Sequence, residues 1–360
     1  MSMNRQKGDS TVQSPATPSP STPPVPVAFP PVFIGLNAVI VAVTAEEPRI
    51  LTVKRTAHPF SMSEELGDRA SGDDALDALP FGPLEPERHL TLERGLRSWV
   101  AQQTGLQLGY VEQLYTFGDR FRGLDGREGA PWVISVAYLA LVREQELSDA
   151  SEAQWRDWYS AFPWEDWRTG RPALLERTIQ PALQRWCAET HEPSIARARQ
   201  ERVDITFGLR GAPWDPERVL ERYELLYEAG LVEEPYRGAA RLRPQEHLVG
   251  RPMALDHRRI MATALGRVRG KIKYRPVVFE LLPPTFTLWQ LQRVVEALSG
   301  IRLHKQNFRR LVERGGLVEA TGQFDQSTGG RPAALFRFRR EVLRERAAPG
   351  VGLPSVPVSA

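Results

Sequence analysis

Near its C-terminus the chain carries two short amphipathic segments on either side of a glycine turn. In TLWQLQRVVEALSGIRL, Thr287 is suited to cap a helix, and Gly300 supplies the turn. HKQNFRRLVERGG predicts a second helix from about His304 to Arg314. The apolar face of the first helix consists of Leu288, Leu291, Val294, Val295 and Leu298. Two short helices across a glycine turn are typical of a helix-turn-helix.

The segment after the second helix predicts a β-hairpin. GLVEATG and AALFRFRR have the composition of two strands, and the GGRP tip between them contains Arg331. Two helices followed by such a hairpin indicate a winged helix. We expect Phe308, Leu311 and Val312 to face its core. The side chains expected to contact DNA are His304, Lys305, Gln306, Asn307, Arg309, Arg310 and Arg331. Plain solvation of these side chains remains the alternative.

Positive charge is concentrated in and before this motif. From His257 to Arg314 there are thirteen Lys or Arg against three Glu, a net +10, whereas the whole chain carries +3. The remainder is therefore acidic overall. Such segregation is expected of a protein whose basic side chains neutralise DNA phosphates. A merely solvated basic helix is the alternative, and double-stranded DNA is the partner that the pattern favours.

The N-terminal part predicts an α+β domain. FIGLNAVIVAV and RILTVKR are rich in β-branched residues and predict two strands joined by a turn. LTLERGLRSWVAQQTGL predicts a helix that ends at Gly105, and YVEQLYTFGD and APWVISVAYLALV predict two further strands. Trp-rich helical stretches follow, whose aromatic side chains we expect in a core. Asp256 is expected to cap a basic helix.

Composition and pattern divide the chain into six segments. They are a disordered Pro/Ser/Thr-rich tail (1–30), an α+β domain (31–146), a helical insertion or extension (147–255), a basic connecting helix (256–275), a winged helix (276–345) and a disordered tail (346–360). The single cysteine, Cys187, excludes an intramolecular disulfide. With no signal peptide and no apolar run long enough for a membrane helix, the sequence predicts a cytoplasmic protein without a membrane partner.

One stretch of the α+β domain, LPFGPLEPERHLTLERGLRSWVAQQTGL, resembles a Nudix box. In that family a Gly-rich loop precedes a helix ending Arg-Glu-hydrophobic-X-Glu-Glu-X-Gly, and its glutamates hold Mg²⁺ against a substrate pyrophosphate. Aligned on the Thr-Gly that ends the stretch, the Arg-Glu pair falls on Ser98 and Trp99, and the Glu-Glu pair on Gln102 and Gln103. A neutral amide cannot balance a dication as a carboxylate does. The resemblance therefore implies a retained scaffold helix without metal, cofactor or catalytic residues.

Three glutamates remain near the box. We interpret Glu85, Glu87 and Glu93 as solvated or capping residues, with metal binding as the alternative. The earlier glutamate of the family pattern falls near Leu90. The opposing hypothesis for the whole chain is an active hydrolase of nucleoside diphosphate derivatives that takes its metal ligands from outside the box, with the winged helix as an accessory.

The domain also resembles NrtR-type regulators, which are Nudix-like sensors of ADP-ribose or related adenine nucleotides. The resemblance lies in TFGDRFRGLDGREGAPWVISVAYLAL, where several arginines precede an apolar strand. Guanidinium groups suit pyrophosphate because they form bidentate, charge-assisted hydrogen bonds. The residues expected to bind the nucleotide are Arg55, Phe81, Arg120, Arg122 and Arg127. A solvated loop, and core packing for Phe81, are the alternatives.

The C-terminal stretch YRPVVFELLPPTFTLWQLQRVVEALSGIRLHKQNFRRLVERGGLVEATG is similar to the winged-helix half of NrtR regulators. The additional segment 147–255 resembles the longer NadQ-type regulators of NAD metabolism. Together these resemblances imply an α+β protein: a Nudix-like α/β/α sandwich with a helical insertion and a C-terminal winged helix-turn-helix. They imply a homodimeric transcriptional regulator, a repressor, of NAD-metabolism genes that binds operator DNA and responds to ADP-ribose, NAD or ATP.

Overall fold

Seven strands among the described residues form one mixed sheet. The computed structural model describes residues 32–44, 46–54, 76–119, 132–145, 147, 153–236, 248–326 and 332–352. The strands are β1 (Val32–Thr44), β2 (Glu47–Lys54), β3 (Asp77–Ala78), β4 (Phe81–Pro83), β5 (Val111–Phe117), β6 (Trp132–Leu141) and β7 (Ala153–Asp157). Their order is β3-β2-β1-β6-β5, with β4 paired to β1 and β7 to β2. The strands β1 and β6 are parallel, and the other pairs are antiparallel.

Strand β1 is buried on both faces, as its almost continuous apolar run requires. Because side chains alternate along a strand, Leu36 and Ile40 share a core cluster with helix α1 (Leu92–Thr104), whereas Val39 and Val41 belong to the larger cluster on the opposite face. Helix α1 begins after Thr91, whose hydroxyl accepts the Arg94 amide at 3.1 Å. It ends, as expected, at Gly105 with φ 74°.

Helix α5 (His257–Tyr274) lies in the segment expected to form the basic connecting helix, and it forms the second helical layer. Its Ile260, Leu265, Val268 and Ile272 are buried in the cluster that joins the sheet to the winged helix. The sandwich is therefore closed by a helix from outside segment 31–146. The expected cap is wrong: Asp256 occupies the N-cap position without a capping hydrogen bond, and its carboxylate pairs with a residue in the next turn of the helix.

Segment 147–255, expected to be helical, begins with a strand. Strand β7 pairs with β2, Leu51 lying opposite Trp155, and so satisfies backbone groups that would otherwise lie at a sheet edge. The helices that follow are α2 (Gln180–Ala188), preceded by a π-helical turn (Leu175–Ile179), α3 (Pro193–Phe207) and α4 (Val219–Glu228). Short 3-10 turns lie at Trp158–Ser160, Pro163–Glu165, Glu234–Tyr236 and Val277–Leu281. Many of the aromatic side chains are buried, as expected, and so is Cys187, whose pKa is raised by burial.

The C-terminal module contains the expected winged helix. It consists of β8 (Phe286–Thr287), α6 (Leu288–Ser299), α7 (Lys305–Gly315), β9 (Val318–Asp325), β10 (Ala333–Phe338) and α8 (Val342–Glu345), with strand order β8-β10-β9. The α+β prediction is thus confirmed. The following segment, expected to be disordered from 346, is packed in part: Val351 is fully buried, and its amide donates to the Ile272 carbonyl at 2.8 Å. No helix in the described part of the chain is long and apolar enough to cross a membrane.

Candidate functional site

The helix-turn-helix is fixed at both ends of its first helix. The Thr287 hydroxyl accepts the Gln290 amide at 3.2 Å, and Gln290 Oε1 accepts the Thr287 amide at 2.8 Å, which confirms the expected cap as a capping box. Helix α6 ends at Gly300 with φ 74°, a left-handed conformation that favours glycine. The Gly300 carbonyl accepts the Trp167 amide at 2.7 Å, so segment 147–255 contacts the turn directly.

Helix α7 presents a polar face beside a buried anchor. Phe308 and Val312 are buried and Leu311 is half-buried, as their spacing predicts. The six side chains expected to contact DNA from this helix are all exposed: His304, Lys305, Gln306, Asn307, Arg309 and Arg310. Arg309 lies 3.7 Å from Glu313, an exposed pair that constrains it little. The N-terminal turn of α7 is therefore free of the core and able to meet base edges.

The first helix of the helix-turn-helix carries one exposed aromatic side chain that the sequence analysis missed. Trp289 on α6 is 53% exposed, and the Arg293 guanidinium lies 5.4 Å from its ring centroid. Its position off the apolar face of α6 was the signal that could have identified it. In the wing, Phe324 of β9 is exposed, whereas Arg331 lies outside the described residues.

The basic residues before the wing were expected to neutralise DNA phosphates, but many of them pair with carboxylates of the protein itself. Eight of the thirteen basic residues between 257 and 314 form ion pairs: Arg258, Arg259, Arg269, Lys271, Lys273, Arg293, Arg302 and Arg309. Arg258 and Arg269 are buried together with their carboxylate partners. Much of the net +10 is therefore compensated inside the protein. The exposed charge of α7 includes Lys305 and Arg310.

The Nudix-like helix carries Trp99 at a position where the family motif has a glutamate. The indole Nε1 donates to the Pro83 carbonyl at 2.8 Å. Its ring lies directly on the backbone of Gly82, since a Cβ on that glycine would come within 2.3 Å of the ring. The side chain thus fills the space between α1 and β4. Ser98 and Gln102 are exposed on the same helix.

Gln103 has a structural role that explains its amide. Its Oε1 accepts the Phe81 amide at 3.1 Å, and its Nε2 donates to the Phe81 carbonyl at 2.7 Å. A carboxylate offers only acceptors and would face that carbonyl without a proton to share. The amide therefore joins α1 to β4 by two hydrogen bonds that a glutamate at the same position could not both make.

The glutamates near the box have other partners. Glu85 pairs with Arg88 at 3.0 Å, and Glu93 pairs with Arg97 at 2.8 Å. Glu87 is exposed. Within the described ranges no group of three or more His, Cys, Asp or Glu side chains is arranged to hold a metal ion.

Most of the expected nucleotide-binding residues, Arg55, Arg120, Arg122 and Arg127, lie outside the described residues. Phe81 lies in the core, its ring packed edge-on against His257 with centroids 5.0 Å apart, so stacking on a base is not its role in this structure. Asp119 stands immediately before the arginine-rich stretch 120–131, which lies outside the described residues, and pairs with Arg259 of α5. Burial disfavours the Arg259 cation, but its carboxylate partners raise its pKa. The chain is therefore held to α5 at Asp119, the last described residue before that stretch.

A helix anchored by buried apolar residues, with an exposed polar turn and an adjacent β-hairpin, defines a winged-helix DNA-binding module. Residues 278–338 match the family model described as the NrtR DNA-binding winged helix domain. The resemblance of this module to NrtR regulators is thereby confirmed.

Two further comparisons concern longer parts of the chain. A curated relative, the "ADPR responsive transcriptional repressor NtrR" of Acinetobacter baylyi, is 40% identical over 86 residues, which are 24% of this chain. The match spans about a third of that relative, 34% of its length. The crystal structure of Shewanella oneidensis NrtR complexed with a 27mer DNA is 21% identical and covers 86% of this chain and 95% of its own, with a TM-score of 0.49.

Proposed function

We propose that this protein is a DNA-binding transcriptional regulator, a repressor of genes of NAD metabolism. The observation that carries the proposal is the exposed row His304 to Asn307 at the start of a helix anchored by Phe308 and Val312. The side-chain amides of Gln306 and Asn307 each offer a donor and an acceptor, which match the N7 acceptor and the N6 donor of adenine. Arg310 can reach phosphate or guanine. The curated relative, itself described as a transcriptional repressor, supports the sign of control.

We further propose that the N-terminal domain binds an adenine nucleotide, ADP-ribose, NAD or ATP, without hydrolysing it. Trp99 and Gln103 are committed to the carbonyls of Pro83 and Phe81, so neither position offers a metal ligand. The curated relative is described as ADPR responsive, which favours ADP-ribose as the effector. The competing function, a hydrolase with metal ligands from outside the box, has no observation in its favour among the described residues.

A single winged helix reads few base pairs, so we propose that the protein binds its operator as a homodimer. Two copies related by a two-fold axis would read two half-sites about one or two helical turns apart. The operator would then carry the same symmetry as the protein.

The DNA proposal predicts two kinds of mutational effect. Asn307→Ala or Gln306→Ala should relax sequence preference, costing about 1 to 3 kcal/mol, because each removes a base contact. Arg310→Ala should weaken binding to all sequences and reduce the salt dependence by about one unit of slope, because it removes a phosphate contact. Gel shifts over a range of salt concentrations, on DNA selected by the protein from a random pool, measure both.

Arg197→Ala on α3, an exposed arginine remote from this module, is the control. Binding without sequence preference at physiological salt would contradict the proposal.

The nucleotide proposal predicts saturable binding without turnover. In calorimetry, ADP-ribose should bind the full-length protein and should bind more weakly to Arg122→Ala or Arg127→Ala, because each removes a charge-assisted contact with pyrophosphate. The same nucleotide should be recovered intact after incubation with protein and Mg²⁺. Hydrolysis that persists through purification and is abolished by Glu93→Gln would establish the hydrolase instead.

A further inference from the structure

A buried carboxylate organises the loop between the two helices of the helix-turn-helix. Glu296 of α6 is 1% exposed and accepts hydrogen bonds from Gln292 Nε2 at 2.8 Å and the Leu303 amide at 2.9 Å. Arg293 and Arg302 each donate to its other oxygen at 2.8 Å. Burial alone would raise the pKa of Glu296, but these hydrogen bonds hold it below its usual value. The loop that starts the recognition helix is thus fixed from within α6.

A second carboxylate reaches the same two arginines from the N-terminal sheet. Glu46 lies in the turn between β1 and β2, with Oε1 at 3.3 Å from Arg293 Nε and Oε2 at 3.7 Å from Arg302 Nη1. The position of Glu46 is constrained in two ways. Its backbone φ of 71° is a left-handed conformation that residues other than glycine rarely adopt. Its carbonyl accepts a hydrogen bond from Arg168 Nη1 at 2.8 Å.

The strand before Glu46 pairs with the strand that follows the arginine-rich stretch 120–131 in sequence. Strand β1 pairs in parallel with β6 over the whole range Val32 to Val41, and β6 begins at Trp132. A displacement of β6 at that end must therefore move β1 or break a continuous ladder of hydrogen bonds. The turn at Glu46 follows the end of β1 and contacts the winged helix through Arg293 and Arg302.

We propose that Glu46 is a positioning residue for operator recognition, which links the N-terminal sheet to the loop that begins the recognition helix. The inference rests on the proposed DNA-binding function. Glu46 acts through its contacts with Arg302 and Arg293, and it does not contact DNA itself. When the sheet moves on binding a nucleotide, the Glu46 carboxylate moves with it and changes how firmly Arg302 is held. The placement of α7 then depends on the state of the N-terminal domain.

The charges around Arg302 predict the direction in which DNA affinity should change when Glu46 is replaced. Two arginines face two carboxylates, so the cluster is neutral, and Glu46→Gln leaves it with one excess positive charge next to α7. Glu46→Gln should therefore bind all DNA sequences more tightly, with a salt slope steeper by up to about one unit. It should also discriminate less between selected and random DNA, because α7 is held less firmly.

The test compares the full-length wild-type protein, Glu46→Gln and a control, Glu228→Gln. Glu228 pairs with Arg202 in an exposed ion pair remote from the winged helix, so the chemical change is the same. Amide hydrogen exchange should be faster at residues 301–308 in Glu46→Gln alone, with the global melting temperature unchanged. In Glu46→Gln, the ratio of selected-DNA affinities without and with ADP-ribose should move at least about fivefold closer to one than in the wild type, in whichever direction the wild type departs from one.

The outcomes distinguish failure of the positioning role of Glu46 from failure of the proposed DNA-binding function. Equal exchange at 301–308 in both variants overturns the positioning role, whatever the protein binds. Faster exchange in Glu46→Gln with an unchanged affinity ratio and unchanged sequence preference also overturns it, because Glu46 would then be only a structural contact. A wild-type protein that binds no DNA selectively overturns the proposed function, and this inference with it.

Discussion

Glu165→Gln is expected to lower the free energy of unfolding by about 3 to 5 kcal/mol, the cost of leaving buried charge uncompensated. Glu165 is completely buried between Arg222 and Arg269, which are themselves buried. Arg222 Nη2 donates to its carboxylate at 3.1 Å, and Arg269 Nη2 donates to its carbonyl at 2.9 Å. Burial raises the pKa of Glu165, but the two arginines more than offset this and hold it below its ordinary value. Glutamine keeps the shape and removes the charge.

Urea unfolding followed by circular dichroism measures this effect. Glu228→Gln is the matched control, because it removes the same charge from an exposed ion pair with Arg202 and should leave stability almost unchanged. A loss of less than 1 kcal/mol in Glu165→Gln would show that water or rearranged side chains compensate the two arginines. That result would contradict the prediction that Arg222 and Arg269 lose their compensating charge when Glu165 is replaced.

Gly300→Ala is expected to cost about 2 to 5 kcal/mol of unfolding free energy, the sum of a backbone and a steric effect. At φ 74° an alanine is strained, and its Cβ would lie 2.5 Å from the Glu165 carbonyl and 2.8 Å from Arg269 Nη2. Since Gly300 is the turn of the helix-turn-helix, the displacement should also shift α7 and weaken selective DNA binding.

Gly105→Ala provides the control for the backbone effect alone. Gly105 ends α1 with the same φ of 74°, and a Cβ there would meet nothing within 4 Å. Its substitution should cost about 1 to 2 kcal/mol and leave DNA binding intact. Thermal or urea unfolding of both variants, with a gel shift on each, tests the difference. Equal costs for the two alanines would mean that the contacts beneath Gly300 relax freely.

Features governed by local chain chemistry could be predicted from the sequence. The cap at Thr287, the helix ends at Gly105 and Gly300, and the buried positions Phe308 and Val312 all follow from side chains within a few residues of each other. The main strands of the sheet follow from β-branched, apolar composition. The exposed face of α7 follows from the same periodicity. These features define the winged helix without any knowledge of what surrounds it.

Features that depend on distant partners could not be predicted. Arg269 was counted as DNA-facing charge because nothing near it in sequence reveals Glu165, which lies 104 residues away. The packing of Trp99 on Gly82 depends on the relative placement of α1 and β4. The docking of Val351 on α5 follows from tertiary contacts in a segment whose composition is typical of a tail. In each case the missing quantity was a long-range contact.

The hydrogen bonds of Trp99 and Gln103 have a consequence for how this lineage can evolve. Glutamates at these positions would deprive the carbonyls of Pro83 and Phe81 of their donors before any metal site was complete. Each single substitution to glutamate would then lower stability without completing a metal site. Because the substitutions would have to occur together, we expect this chain to vary more readily on its exposed surfaces than at these two positions.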